Sequence, residues 1–139
     1  MHEYTVSLLI RGENLNPDKI TEDLNLEPSL TRRSGERRSK IATYHGGVWS
    51  YDGSNEPDGY THWETLEDGL MFLFDRLTPV KDRIDKYKSE FELTLWCGHF
   101  QSAFNGGPGF SPELLQKLAD FGVKLYIDTY FREEKNDDA

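Results

Sequence analysis

The chain has one cysteine, Cys97, in 139 residues. That excludes an internal disulfide and any zinc site of the CxxC kind, and it fits a reducing compartment. Long apolar runs are missing as well. The longest, Leu70 to Phe74, is far short of the roughly 20 residues a membrane span needs. MHEYTVSLLIRG has no basic region ahead of an apolar run, so neither a signal peptide nor an anchor is expected and a cytoplasmic location is. The four histidines (His2, His45, His62, His99) show no HxxxH or HExxH spacing, which gives a metal site no support, and no cofactor is expected. Basic residues are few, 16 against 25 acids, for a net charge of −9. General nucleic-acid binding by long-range attraction is therefore not expected.

The bases that exist are clustered. RRSGERRSK at 32–40 carries Arg32, Arg33, Arg37, Arg38 and Lys40 against Glu36, a local +4 on a body of −13. Guanidinium groups grip carboxylates and phosphates with two parallel hydrogen bonds. The segment reads either as a docking patch for an anionic partner or ligand, or as neutralisation of the protein's own acids. The expectation is that at least one of Arg32 and Arg33 serves the fold, while Arg37 and Arg38 project from a turn at Ser34-Gly35.

Tyr4, Val6, Leu8 and Ile10 alternate with Thr5, Ser7 and Leu9, the period of a strand. Asn16-Pro17 predicts a helix cap and first turn, with Leu15 stapled to Ile20 and a stop near Asn25. A strand is expected over GVWSYDG with Trp49 and Tyr51 on one face, and residues 41–44 allow a short extra strand beyond the four of the sheet. Thr61 and Glu64 suggest a capping box. Leu66, Leu70, Leu73, Leu77, Val80, Ile84 and Tyr87 then step by fours and threes, one stripe along a long helix. Pro79 interrupts it, either kinking that helix or opening a second one capped by Thr78. Phe91, Leu93, Leu95 and Cys97 define another strand. Ser111-Pro112-Glu113 starts a helix lined by Leu114, Leu115, Leu118 and Phe121, with Phe110 stapled to Leu115 and Gly122 as its end. Leu125, Ile127, Thr129 and Phe131 share a face of the last strand. The order is βαβ, long helix, βαβ. It predicts a single α+β domain over 1–131, a ferredoxin-like, mainly antiparallel four-stranded sheet with helices on one face, and a charged tail over 132–139.

The candidate sites are weighed in the same way. Cys97 and His99 fall on one strand face, but at roughly 7 Å from strand rise alone they are too far apart for a catalytic pair, and Cys97 continues an apolar row. Core packing is expected. NGGPG at 105–109 precedes a helix yet lacks the Lys-Ser/Thr ending of a phosphate loop, so a turn is expected. DGSNEPDG offers alternate oxygens from Asp52 to Asp58 but has Pro57 and Trp63 where a calcium loop needs Gly and Glu. Trp49, Tyr51, Trp63, Trp96 and Phe104 are many aromatics for this length; they belong either to the core or to a groove.

Taken together, YTVSLLIRGENLNPDKITEDLNLEPSLTRRSGERR, GGVWSYDG and FELTLWCGHFQSAFNGGPGFSPELLQKLADFGVKLYIDTYF resemble the bacterial domain-of-unknown-function 4279 family over residues 4–131. The resemblance implies a stand-alone bacterial domain and transfers no catalytic residue. Two functions are compatible with the residues. The first is a non-enzymatic protein-interaction module, in its sharper form an immunity-like binder of a partner protein. The second is a binder of small anionic ligands or a simple enzyme, with Trp49, Tyr51, Trp96 and His99 lining a pocket between sheet and long helix and the arginines holding the anion. A homodimer is compatible with either.

Overall fold

The computed structural model describes residues 1–36, 46–54 and 61–133. The extra strand that the sequence allows at 41–44, together with Arg37, Arg38 and most of DGSNEPDG, lies outside them. The elements run β1 (His2–Gly12), α1 (Pro17–Leu24), β2 (Leu30–Arg32), β3 (Gly47–Tyr51), α2 (Leu66–Leu77), a 3-10 turn (Thr78–Val80), α3 (Lys81–Tyr87), β4 (Glu92–Gln101), α4 (Pro112–Phe121) and β5 (Lys124–Phe131).

The four-stranded sheet expected from the sequence is corrected to five strands in the order β2-β3-β1-β4-β5. The sheet is mixed: β4 and β5 are parallel, while β1–β3, β1–β4 and β2–β3 are antiparallel. The physical reason is Leu30–Arg32. This three-residue strand, too short to show a period, receives the chain after α1, and β3 then folds back between it and β1. The C-terminal half closes as a parallel β4–α4–β5 crossover of adjacent strands, while the N-terminal half does not.

Cross-strand partners share a face of the sheet. Tyr51, Leu8, Leu95 and Leu125 form one inner row, Trp49, Ile10 and Leu93 a second, and Val6, Cys97 and Ile127 a third. The helices cover this face. Trp49 Nε1 donates to Thr21 Oγ1 of α1 at 3.0 Å. A Cβ on Gly69 of α2 would lie 3.0 Å from Val6. Phe74 of α2 meets Phe121 of α4 at 5.2 Å between ring centres, and Tyr87 of α3 donates its hydroxyl to Asp23 of α1. The layer between sheet and helices is filled with side chains: Trp49, Leu8, Ile10, Leu70, Leu73, Leu77 and Leu95 are all fully buried.

The caps read from sequence hold in α1 and α4. Asn16 Oδ1 accepts from Asp18 N–H, Asn25 ends α1 in the left-handed region at φ 53°, Ser111 Oγ accepts from Leu114 N–H, and Gly122 ends α4 at φ 71°. The start of α2 is corrected. Thr65, not Thr61, is its cap, accepting from Asp68 N–H at 3.2 Å, because Thr65-Leu66-Glu67-Asp68 is itself a threonine followed three residues later by an acid. The long stripe is buried as read, with Val80 half-buried. At Pro79 neither expected form occurs. Thr78 Oγ1 donates to Phe74 O at 2.6 Å, and a 3-10 turn joins α2 to α3, since proline has no N–H to continue the α-helical ladder. Leu115, expected along the buried face of α4, is 51% exposed: Leu114 and Phe121 set that face, and Leu115 lies about 100° around from Leu114.

Candidate binding surface

His99 does not meet Cys97 as a base. Both are buried on the inner face, but each ring nitrogen of His99 has another partner. Asn105 O can only accept, so His2 Nε2 carries a hydrogen and donates to it at 2.9 Å. With both rings neutral, His2 Nδ1 accepts from His99 Nε2–H at 2.8 Å, and His99 Nδ1 accepts from the Thr129 hydroxyl at 3.4 Å. Tyr4 stacks on the His99 ring at 4.6 Å. Burial, followed by the neighbouring His2, holds the His99 pKa below its ordinary value, and burial pushes the Cys97 thiol up to about 12. Cys97 is a core residue at neutral pH, not a thiolate.

NGGPG is a turn tied to that histidine pair. Gly106 sits at φ 91°, and a Cβ there would lie 2.7 Å from His2 Nε2. The helix start beyond it is occupied from within: Ser111 N–H donates to Glu67 Oε1 at 2.9 Å, which holds the Glu67 carboxyl below its usual range. An anion in the manner of a phosphate loop would have to displace that carboxylate.

The six candidate residues that are described, Arg32, Arg33, Trp49, Tyr51, Trp96 and His99, are not brought together. Trp49 and Tyr51 are buried on the inner face, stacked at 6.1 Å. His99 is inner too, and Trp96, one register row from Cys97, is outer. The chain turns at Ser34-Gly35 as read, with Gly35 at φ 87° and Glu36 N–H donating to Arg33 O at 3.1 Å. Arg33 pairs with Asp18 in the first turn of α1, and Arg32 Nη1 donates to Thr31 O at 2.8 Å. Arg33 thus ties the turn to the start of α1.

The outer face of the sheet carries the arrangement that sequence reasoning missed. Trp96 of β4 lies 4.7 Å from Tyr126 of β5. Four residues on, Phe100 stacks on Tyr130 at 5.3 Å and 15°, and the Arg132 guanidinium sits 4.1 Å from the Phe100 ring centre, a cation–π contact. His62 approaches the same ring at 5.8 Å and pairs with Glu3 at 3.2 Å. Gly98 makes this possible: a Cβ there would stand 2.5 Å from Thr5 Oγ1 and 3.0 Å from Phe100, so only glycine lets the phenyl ring lie down on the strands. Between these aromatics and Thr5, Ser7 and Leu9 runs a cavity of about 550 Å³. Tyr126 and Tyr130 are 44% and 46% exposed, and no described helix crosses this face. Tyr130 donates its hydroxyl to Asp128, and this bond, ahead of burial, raises the Tyr130 pKa. At the corner, Phe104 and Phe131 stack at 4.9 Å, with Phe104 92% exposed.

A signal for this face was present in the even positions of the last two strands (Trp96, Phe100, Tyr126, Tyr130) but needed the parallel register to join them. Arg132, placed by the sequence at the head of the tail, is held by its N–H to Gln101 O at 2.7 Å. Among the described residues no group of three or more His, Cys, Asp or Glu side chains is placed to hold a metal ion, and no described helix is long and apolar enough to cross a membrane. A family model described as "Domain of unknown function (DUF4279)" matches residues 2–132. No curated protein and no solved structure matches the chain.

Proposed function

The chain belongs to that domain family, and we propose that it is a non-enzymatic interaction module that binds a partner protein across the outer face of its sheet. One observation carries the reading: β4 and β5 present an open surface of paired aromatic rings, Trp96–Tyr126 and Phe100–Tyr130, capped by Arg132. Aromatic and arginine side chains dominate the energetics of protein interfaces because they offer large rigid area with a polar tip. Exposed rings grouped in one patch, rather than scattered, mark such surfaces. The net charge of −9 favours a protein over a nucleic acid as the occupant. The occupied nitrogens of His99 and the protonated thiol of Cys97 weigh against the nucleophilic alternative.

The test is photo-cross-linking in the cells that make the protein. A benzophenone amino acid replaces Trp96 on the outer face, or Gln116 on α4 as a control. The expected result is a covalent adduct from position 96 and not from 116, with one protein identified in it. That protein, purified, should bind the native chain and lose binding when Phe100 and Tyr130 are replaced by alanine. Equal labelling from both positions, or an adduct containing only a second copy of this chain, would overturn the reading.

A further inference from the structure

The sheet has two edges, and they are defended differently. β2 is three residues long and ends in Arg32, with Arg33 beyond it, the short and charged edge that discourages further pairing. β5 is eight residues, Lys124–Phe131, with no proline and a single base at its start. Its partner β4 lies on one side, and no described strand lies on the other. Arg132 N–H points to β4. Because successive N–H groups alternate in direction, those of Leu125, Ile127, Thr129 and Phe131, with their carbonyls, point away from the sheet. Tyr126, Tyr130 and Phe131 stand 44–48% exposed along this edge.

We propose that β5 pairs antiparallel with β5 of a second copy of this chain, about a two-fold axis at Ile127, joining two sheets into one. The inference does not rest on the partner-binding reading. Self-complementarity selects the occupant and the register. A two-fold axis perpendicular to the sheet keeps inner residues opposite inner residues, so the centre must fall on a residue rather than between two. Centred on Asp128, the register would set two aspartates directly opposite, which is unfavourable. Centred on Tyr126, it would leave Tyr130 and Phe131 unpaired. Centred on Ile127, residues 124 to 130 pair strand to strand, and Phe131 meets the residue just ahead of the other strand. Leu125 faces Thr129 of the second copy, and Val123 faces its Phe131. On the outer side Lys124 faces Tyr130 of the second copy with Asp128 of that copy at the diagonal position, and Tyr126 faces that Asp128. No like charges stand directly opposite, and the outward N–H and C=O groups of the odd-numbered residues find partners. The aromatic rows of the two outer faces then run on across the axis.

Sedimentation of the full chain, followed from micromolar to near-millimolar concentration, tests this, since one strand pair covers less than a standard interface. The native chain should pass with concentration from 16.1 kDa to twice that mass. Tyr126→Asp, an exposed position that would set a new acid against Asp128 of the second copy, should remain monomeric with an unchanged circular-dichroism spectrum. Adding Asp128→Lys to that variant places the new acid opposite the new base and should restore the dimer. Ile127→Pro removes an outward N–H and should also be monomeric; if it does not fold, the Tyr126 pair of variants still decides. A native chain that stays monomeric throughout, or a dimer that Tyr126→Asp leaves intact, would overturn the proposal.

Discussion

Two faces of the same strand behave differently. Along β4, Leu93, Leu95, Cys97 and His99 point into a layer closed by the helices, each under 10% exposed. Trp96 and Phe100 point the other way, onto a face where their neighbours are two half-exposed tyrosines and an arginine. The rings are of the same kind on both sides. Trp49 on the inner face is wholly buried, with its Nε1 satisfied by Thr21, whereas Trp96 on the outer face meets one tyrosine. Residue type alone does not separate a core aromatic from a surface one. The covering layer does, and it is set by where α1, α2 and α4 dock.

The comparison can be broken first at the tryptophans. Trp49→Ala should cost about 3–5 kcal/mol, because it opens a large cavity and strips Thr21 of its donor, whereas Trp96→Ala should cost about 0.5–1.5 kcal/mol, the range for one aromatic pair. Urea denaturation of the two variants gives both numbers, and equal losses would erase the distinction between the faces. Leu73→Ala, in the helix layer, should cost about 2–5 kcal/mol, read from the same titration. An unchanged midpoint would mean that the long stripe does not pack on the sheet.

The inner face should also respond to pH. His99 is held below its ordinary pKa when folded, so the unfolded chain binds more protons near and below about pH 6.5. Its contribution to stability is present above that pH and lost as pH falls through the depressed folded value. The neutral pair also needs one bare nitrogen facing one N–H, and a proton on each ring would set two N–H groups against each other. Melting temperature between pH 7 and 5 should therefore fall in the native chain and be flatter in His99→Phe. A parallel slope in the two would remove His99 from the account.

Cys97→Ala should cost about 1 kcal/mol, as a small core truncation, and the thiol should react slowly with labelling reagents at neutral pH, since burial pushes it up to about 12. Fast labelling would return it to the list of nucleophiles. The smallest effect belongs to Arg33→Gln, expected at about 0–1 kcal/mol, because its pair with Asp18 is half-exposed on one side and mostly exposed on the other.

What the sequence showed and hid follows from range. Asn16-Pro17 and Ser111-Pro112 declare helix starts within four residues, and both are found. The apolar stripe from Leu66 to Tyr87 needs only helical period, and it too is found. Leu30–Arg32 has no period to show, and its absence from the sequence reading turned a five-stranded sheet into a four-stranded one. His2 and His99 meet across 97 residues, and Arg33 reaches back to Asp18; neither pairing leaves a local trace. The outer aromatic face is the intermediate case. Its residues alternate visibly, but only the parallel β4–β5 register sets Trp96 beside Tyr126 and Phe100 beside Tyr130.

The central claim is that the inner face holds the fold and the outer face binds. A chain with Trp96, Phe100 and Tyr130 all replaced by alanine tests it most directly, when its melting temperature and its affinity for the cross-linked partner are measured side by side. The account predicts a cooperative transition shifted far less than in Trp49→Ala, together with loss of binding by at least tenfold, about 1.4 kcal/mol. Undiminished affinity in a folded triple variant would contradict it.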